Sequence, residues 1–171
     1  VKVNSGEYKL MGLDPYGKHI FKDLIIEKLL DLKEDGSFKL NMEYFDFATG
    51  LTMTNNKFSK LFETPVRDAK KNQLNKFHMD IAASIQAVTE EIILRLTKSL
   101  SKHYNVKNLC LAGGVALNCV ANGKILKEKI FEKIWIQPAA GDAGGSLGAA
   151  LAYWHHELKM PRNNYKDQMN G

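Results

Sequence analysis

An α/β fold is predicted by three features of the sequence. These are two successive strand, glycine loop, helix units between residues 107 and 158, a long amphipathic helix before them, and a helix followed by a hairpin near the start. In the first unit, residues 107–111 read as a short buried strand, Gly113-Gly114 as a tight turn and residues 115–129 as a helix. In the second, residues 133–137 form a strand closed by Pro138, residues 139–145 a glycine-rich loop, and residues 146–158 a helix. Such units join parallel strands through right-handed crossovers and bring both loops to the carboxyl ends of the strands, the edge where ligands bind.

The long helix is predicted over residues 78–104, where Ile81, Ile85, Val88, Ile92, Leu96 and Leu100 recur every three or four positions. Asp80 near its start and Lys98, Lys102 and His103 near its end suit the backbone dipole, and Asn105 is a natural stop. Ile20, Leu24, Ile25, Leu29 and Leu30 place a shorter helix over residues 19–30, and Asp35-Gly36 turns residues 29–33 onto residues 37–42 as a hairpin. Residues 43–75 mix Tyr44, Phe45, Phe47, Phe58 and Phe62 with Gly50 and Pro65, so no period dominates; one short helix fits residues 55–62. Residues 1–161 are read as one domain, and the polar tail 162–171 is expected to be flexible.

With 171 residues and 44% hydrophobic content, the chain suffices for one ordinary core or for a large piece of a bigger domain. Residues 1–6 carry neither an initiator Met nor a signal pattern, so the start reads as the interior of a longer protein. No apolar run approaches the roughly 18 residues of a membrane span. Cys110 and Cys119, in an apolar strand and an Ala/Val-rich helix, are expected to act as small buried hydrophobes; no disulfide framework or zinc site is implied, which fits the cytoplasm. The net charge of +5 gathers partly in Lys57, Lys60, Arg67, Lys70, Lys71 and Lys76. Without a nucleic-acid motif, this is read as a solvated basic loop and no nucleic-acid partner is expected.

Gly113 and Gly114 stand where a strand hands over to a helix, so the backbone can approach a ligand and helix-start amides can face it, as a nucleotide would require. Glycine there also simply permits the turn. Asn118, one turn into the predicted helix, can reach a ribose or phosphate oxygen or be merely solvated. The loop Pro138-Ala-Ala-Gly-Asp-Ala-Gly-Gly-Ser146 sets one carboxylate, Asp142, among small residues, where it can bind a hard cation or cap the last helix. Gly144, Gly145 and Gly148 suit ligand approach or helix packing equally. Lys9, in Gly6-Glu7-Tyr8-Lys9 ahead of two glycine turns, can neutralise a phosphate or pair with Glu7. His155 and His156 are adjacent, so a helix aims them about 100° apart and they cannot share a metal. The chain has no P-loop ending.

As a set, Gly6-Glu-Tyr-Lys-Leu-Met-Gly-Leu-Asp-Pro-Tyr-Gly17, Asp80-Ile-Ala-Ala-Ser-Ile-Gln86, Leu111-Ala-Gly-Gly-Val-Ala-Leu-Asn118 and Gln137-Pro-Ala-Ala-Gly-Asp-Ala-Gly-Gly145 resemble the carbamoyltransferases of the nodulation protein U and antibiotic O-carbamoyltransferase type. The likeness runs from residue 1 to 161; Asp14 departs from it, standing where the family more often has alanine. The resemblance implies the second half of an actin-like (ribonuclease H-like, Kae1-like) domain, a mixed sheet flanked by helices. It also implies an upstream half-domain with a His-x-x-x-His segment and a downstream YrdC-like domain, both outside this chain. In such enzymes the YrdC-like domain makes carbamoyl adenylate from carbamoyl phosphate and ATP, and the actin-like domain passes the carbamoyl group to a hydroxyl of a sugar or natural product. Carried over, Gly113, Gly114, Asn118 and Gly144 contact the adenylate, Asp142 is one ligand of a divalent metal, iron(II), and Lys9 lies near the active site. The alternatives are a non-catalytic adenine-nucleotide-binding module and a metabolite kinase on the same fold. A half-domain alone exposes surface its other half would cover, so self-association is expected.

Overall fold

A computed structural model describes residues 6–162. They form two compact units, one drawn from the stretch up to Lys107 together with Asn118–Glu132, the other from Asn108–Leu117 together with the stretch from Lys133 on. The expected flexible tail lies outside the described residues except for Arg162.

The first unit is built on one long helix. After α1 (Glu7–Leu13), a 3-10 turn (Asp14–Tyr16), α2 (Lys22–Leu24, running into a π turn at Ile25–Leu29), β1 (Leu30–Leu32), β2 (Phe38–Leu40) and α3 (Asn56–Leu61), α4 spans Lys76–Tyr104. Its start is locked by a reciprocal cap: the His78 N–H donates to Asn75 Oδ1 at 3.4 Å, and the Asn75 N–H donates to His78 Nδ1 at 3.1 Å. Its end is the predicted Asn105, left-handed at φ 48°, whose N–H reaches Ser101 O. The hairpin follows expectation, with Leu30 opposite Leu40 and Leu32 opposite Phe38, and Gly36 supplies φ +88° in the turn. Asn55 caps α3 by accepting from the Lys57 N–H at 2.9 Å.

Ile25, Leu29, Leu30, Phe62 and Val88 form the core of this unit, flanked by Phe21, Phe58 and Phe77. The rings meet at angles, Phe21 and Phe62 edge-on with centroids 5.6 Å apart. The entry segment is stapled to α4 by polar groups: the Lys18 N–H donates to Asp80 Oδ1 at 2.7 Å and the Phe21 N–H to Ser84 Oγ at 3.0 Å. There Gly17 approaches so closely that a Cβ would stand 2.0 Å from Met79 O. Asp80 also pairs with Lys76, and that contact together with the Lys18 amide holds its carboxyl below the usual range.

The predicted apolar stripe of α4 is not its buried face throughout. Leu96 and Leu100 are 36% and 43% exposed, whereas Ala82, Ala83, Ser84, Gln86, Glu90 and Thr97 are buried. Small residues let the α1 side approach the helix backbone, and Gln86 and Glu90 face α5 (Cys119–Glu128), which buries Ala121 and Ile125. Lys98 and Glu128, 2.6 Å apart, bind the same two helices farther along. α5 begins later than expected: Asn118 is its N-cap, because the Asn118 carboxamide oxygen accepts the Ala121 N–H at 3.1 Å, and the preceding Gly114–Leu117 is a 3-10 turn.

In the second unit, β3 (Asn108–Leu111) and β4 (Lys133–Ile136) are parallel, as predicted, with Leu109 opposite Ile134 and Cys110 opposite Trp135. Alternation buries Leu109 and turns Cys110 and Trp135 to the exposed face. Cys119, on α5, is exposed too, so neither thiol is the buried hydrophobe expected. α6 (Gly144–Ala152) continues into a π turn at Tyr153–Glu157, and none of its residues is buried. The described strands pair as two separate two-stranded sheets, one antiparallel and one parallel, rather than as one mixed sheet. No described helix is long and apolar enough to cross a membrane.

Candidate functional site

The two glycine loops of the second unit are tied together. β3 leads into Gly113, which takes φ +102°, a conformation costly for any residue with a Cβ, and the Gly113 N–H donates to Ala140 O in the other loop at 2.7 Å. The Gln137 N–H reaches Leu111 O at 3.1 Å, extending the parallel pairing to the mouth of the loops. Both loops therefore sit at the carboxyl ends of β3 and β4, side by side. A Cβ built at Gly113, Gly114 or Gly145 would meet nothing within 4 Å, so the backbone at these positions is open to an approaching group.

The amides are less free than the sequence suggests. Gly113 spends its N–H on Ala140, Gly144 donates to Gly141 O at 3.0 Å, and Gly145 donates to Asp142 O at 3.1 Å. Gly144 has a packing reason of its own, since a Cβ there would lie 2.2 Å from Ala139 O. The Gly114 N–H is left with no acceptor among the described residues. Asp142 is exposed, and its carboxylate takes no hydrogen bond or ion pair among the described residues. It does not cap the last helix; the N-cap of α6 is Ala143, and no side chain closes that end. The capping reading of Asp142 is thus set aside by geometry, and a free carboxylate stands in a loop of small residues.

Asn118 and Lys9 belong to the first unit. Asn118 is not one turn into its helix but ahead of it, and its amide is held by Gln86 in two hydrogen bonds, Gln86 Nε2 to Asn118 Oδ1 at 3.1 Å and Asn118 Nδ2 to Gln86 Oε1 at 2.9 Å. Lys9 is exposed on α1, its ammonium 5.7 Å from the centroid of the Tyr8 ring. Gly12 lies inside α1 rather than in a turn.

No three His, Cys, Asp or Glu side chains gather into a metal-binding group among the described residues. Asp142 offers a single hard oxygen ligand, so a divalent ion there needs further ligands. His155 Nδ1 lies 2.9 Å from Met160 O in an exposed turn. Much of the basic cluster is paired locally: Lys57 with Glu43 at 2.7 Å, Lys71 with Asp68 at 3.7 Å, and Arg67 donating to Asn72 O at 2.6 Å. Gln86 and Glu90 are buried on α4 beside Asn118, and their polar side chains give no sequence sign of that burial.

The family described as carbamoyltransferase N-terminus matches residues 1–151. The chain belongs to the carbamoyltransferase family. A protein of unassigned role from Synechocystis is 62% identical over 94% of this chain and 26% of its own length. Nodulation protein NolNO of Sinorhizobium fredii is 39% identical over 85% of this chain and 20% of its own, and nodulation protein NolO of Bradyrhizobium diazoefficiens 36% identical over 85% and 24%. The chain thus spans about a quarter of the length of the curated relatives it matches.

Proposed function

We propose that this chain is part of an actin-like domain in an ATP-dependent O-carbamoyltransferase that transfers the carbamoyl group of carbamoyl adenylate to a hydroxyl of a sugar or natural product in the cytoplasm. The observation that carries the reading is the Gly113 N–H to Ala140 O bond, which joins the two glycine loops beside the unpartnered carboxylate of Asp142. Within that loop pair, Gly114 offers its amide to a phosphate oxygen, Gly113 and Gly144 keep the backbone shape, and Asp142 is one ligand of a divalent ion, iron(II) by family resemblance. When bound, that ion supplies Lewis-acid polarisation of the carbamoyl group and charge neutralisation at phosphate. By family resemblance Asn118 contacts the adenylate and Lys9 lies near the active site, where its charge can neutralise a phosphate or orient a leaving group.

The acceptor oxygen attacks the carbamoyl carbon and a new C–O bond forms; the bond from that carbon to the adenylate phosphate oxygen breaks, AMP departs with the electron pair, and the hydroxyl proton passes to a base. Carbamoyl adenylate comes from carbamoyl phosphate and ATP on a YrdC-like domain, and an upstream half-domain supplies the histidine ligands. Exposed Leu147, Leu151, Tyr153 and Trp154 support this need for cover, and the chain alone self-associates.

The test is the longer protein containing this chain, supplied with carbamoyl phosphate, ATP, iron(II) and a hydroxyl acceptor. AMP and carbamate ester are expected in equal amounts, and Asp142→Asn is expected to lower turnover about 100-fold or more. AMP release without ester, or full turnover by Asp142→Asn, overturns the reading.

A further inference from the structure

Ala121 and Lys124 on α5, with Glu90 on α4, bracket a run of side chains in which the direction of each hydrogen bond is determined. At one end, the Ala121 N–H donates to Asn118 Oδ1 at 3.1 Å, which leaves Nδ2 as the atom facing Gln86 Oε1. At the other, Glu90 pairs with Lys124 and accepts from Gln86 Nε2 at 2.9 Å, so the same Gln86 nitrogen also faces Asn118 Oδ1. An amide can bind either way round, but a backbone N–H at one end and a carboxylate at the other demand one shared orientation. Gln86 uses both its N–H groups. Asn118 uses one, and its second has no acceptor among the described residues. Gln86 and Glu90 are each 4% exposed, while Asn118 is half-buried.

We propose that Gln86, anchored through Glu90 by Lys124, is a positioning residue that locks the Asn118 amide with one N–H presented to a ligand oxygen. The proposal rests on the reading of Asn118 as an adenylate contact. An unanchored asparagine flips and offers oxygen or nitrogen; a phosphate or ribose oxygen needs the donor, and the start of α5 favours the same charge on the ligand.

Two measurements on the 15N-labelled longer protein containing this chain test it. Without ligand, the two Asn118 Nδ2 protons are expected at NMR positions displaced from those of a free carboxamide, and Gln86→Met, which conserves volume, is expected to return both toward the free-carboxamide positions while the Ala121 amide stays in place. With AMP as probe, Gln86→Met and Asn118→Asp are each expected to raise Kd about tenfold, the effect of losing one ordinary hydrogen bond, and the double variant no further than Asn118→Asp alone. An Asn118 amide that stays ordered in Gln86→Met, or additive effects on Kd, overturns the proposal. Lys124→Met removes the far anchor from an exposed position and is expected to mobilise the same amide, so the lock can still be refuted if Gln86→Met does not fold. Absence of AMP binding by the longer wild-type protein would strike the adenylate reading, and the ligand-free spectra would still decide the lock.

Discussion

The unit around α4 and the unit around β3 and β4 solve different problems. The first buries Ile25, Leu29, Leu30, Phe62 and Val88 together and closes its polar contacts in pairs, from Lys18–Asp80 to Gln86–Asn118. The second buries Leu109, Ala116 and Ala140, small contributions, and leaves α6 without a buried residue. Stability therefore resides in the first, where apolar area leaves water, while the second holds loops with open space around their glycines. A region with open space around its glycines and few buried side chains is not packed to interior density.

The largest stability effect should come from the tightest contact of the first unit. Gly17→Val would drive a side chain into Met79 O, 2.0 Å from the Cβ position, and should cost about 3 kcal/mol or more in urea unfolding; a near-native midpoint would mean the approach is looser than described. A matched pair comes next. Val88→Ala in the core should cost about 2 kcal/mol, and Leu151→Ala on α6, half-exposed, under about 0.5 kcal/mol; equal losses would erase the contrast between the units.

The smallest effect is a pH step at the start of α4. Burial first, and the Arg67 charge second, hold His78 below its ordinary pKa of 6.5, and its Nδ1 must be unprotonated to accept the Asn75 N–H. A group depressed in the folded state contributes stability that is fully present above its unfolded pKa and declines as pH falls. The melting temperature should thus fall modestly from pH about 7 to 5, and His78→Gln should flatten that step. Asp80 and Glu91, both depressed by lysine contacts, add a separate loss below the ordinary carboxylate values of 3.8 and 4.5.

Local rules carried much of this architecture. The period of α4, the Asp35-Gly36 turn, the helix at Asn56–Leu61 and the parallel strands were legible because each depends on neighbours in sequence. The buried side of α4 was not legible, because Gln86 and Glu90 look like a solvent face until α5 supplies partners. Cys110 read as buried because a short apolar strand gives no sign of which face is covered. At the site, the pairing of the two glycine loops followed from strand order, but the start of α5 at Asn118 did not, since Val115, Ala116 and Leu117 suit a helix as well as the 3-10 turn they form. The use of Gly113 and Gly144 amides inside the loops depends on distances that spacing does not encode.

Both tryptophans of the chain lie in the loop-bearing unit, Trp135 at 51% and Trp154 at 47% exposure. Indole emission from this protein is therefore expected to be red-shifted, and a segment or molecule that covered either indole would move it to the blue, while melting of the phenylalanine-rich core, which holds no tryptophan, would change it little. One spectrometer setting watches assembly, and far-ultraviolet dichroism of α4 watches folding, so the two events can be timed separately in a single sample.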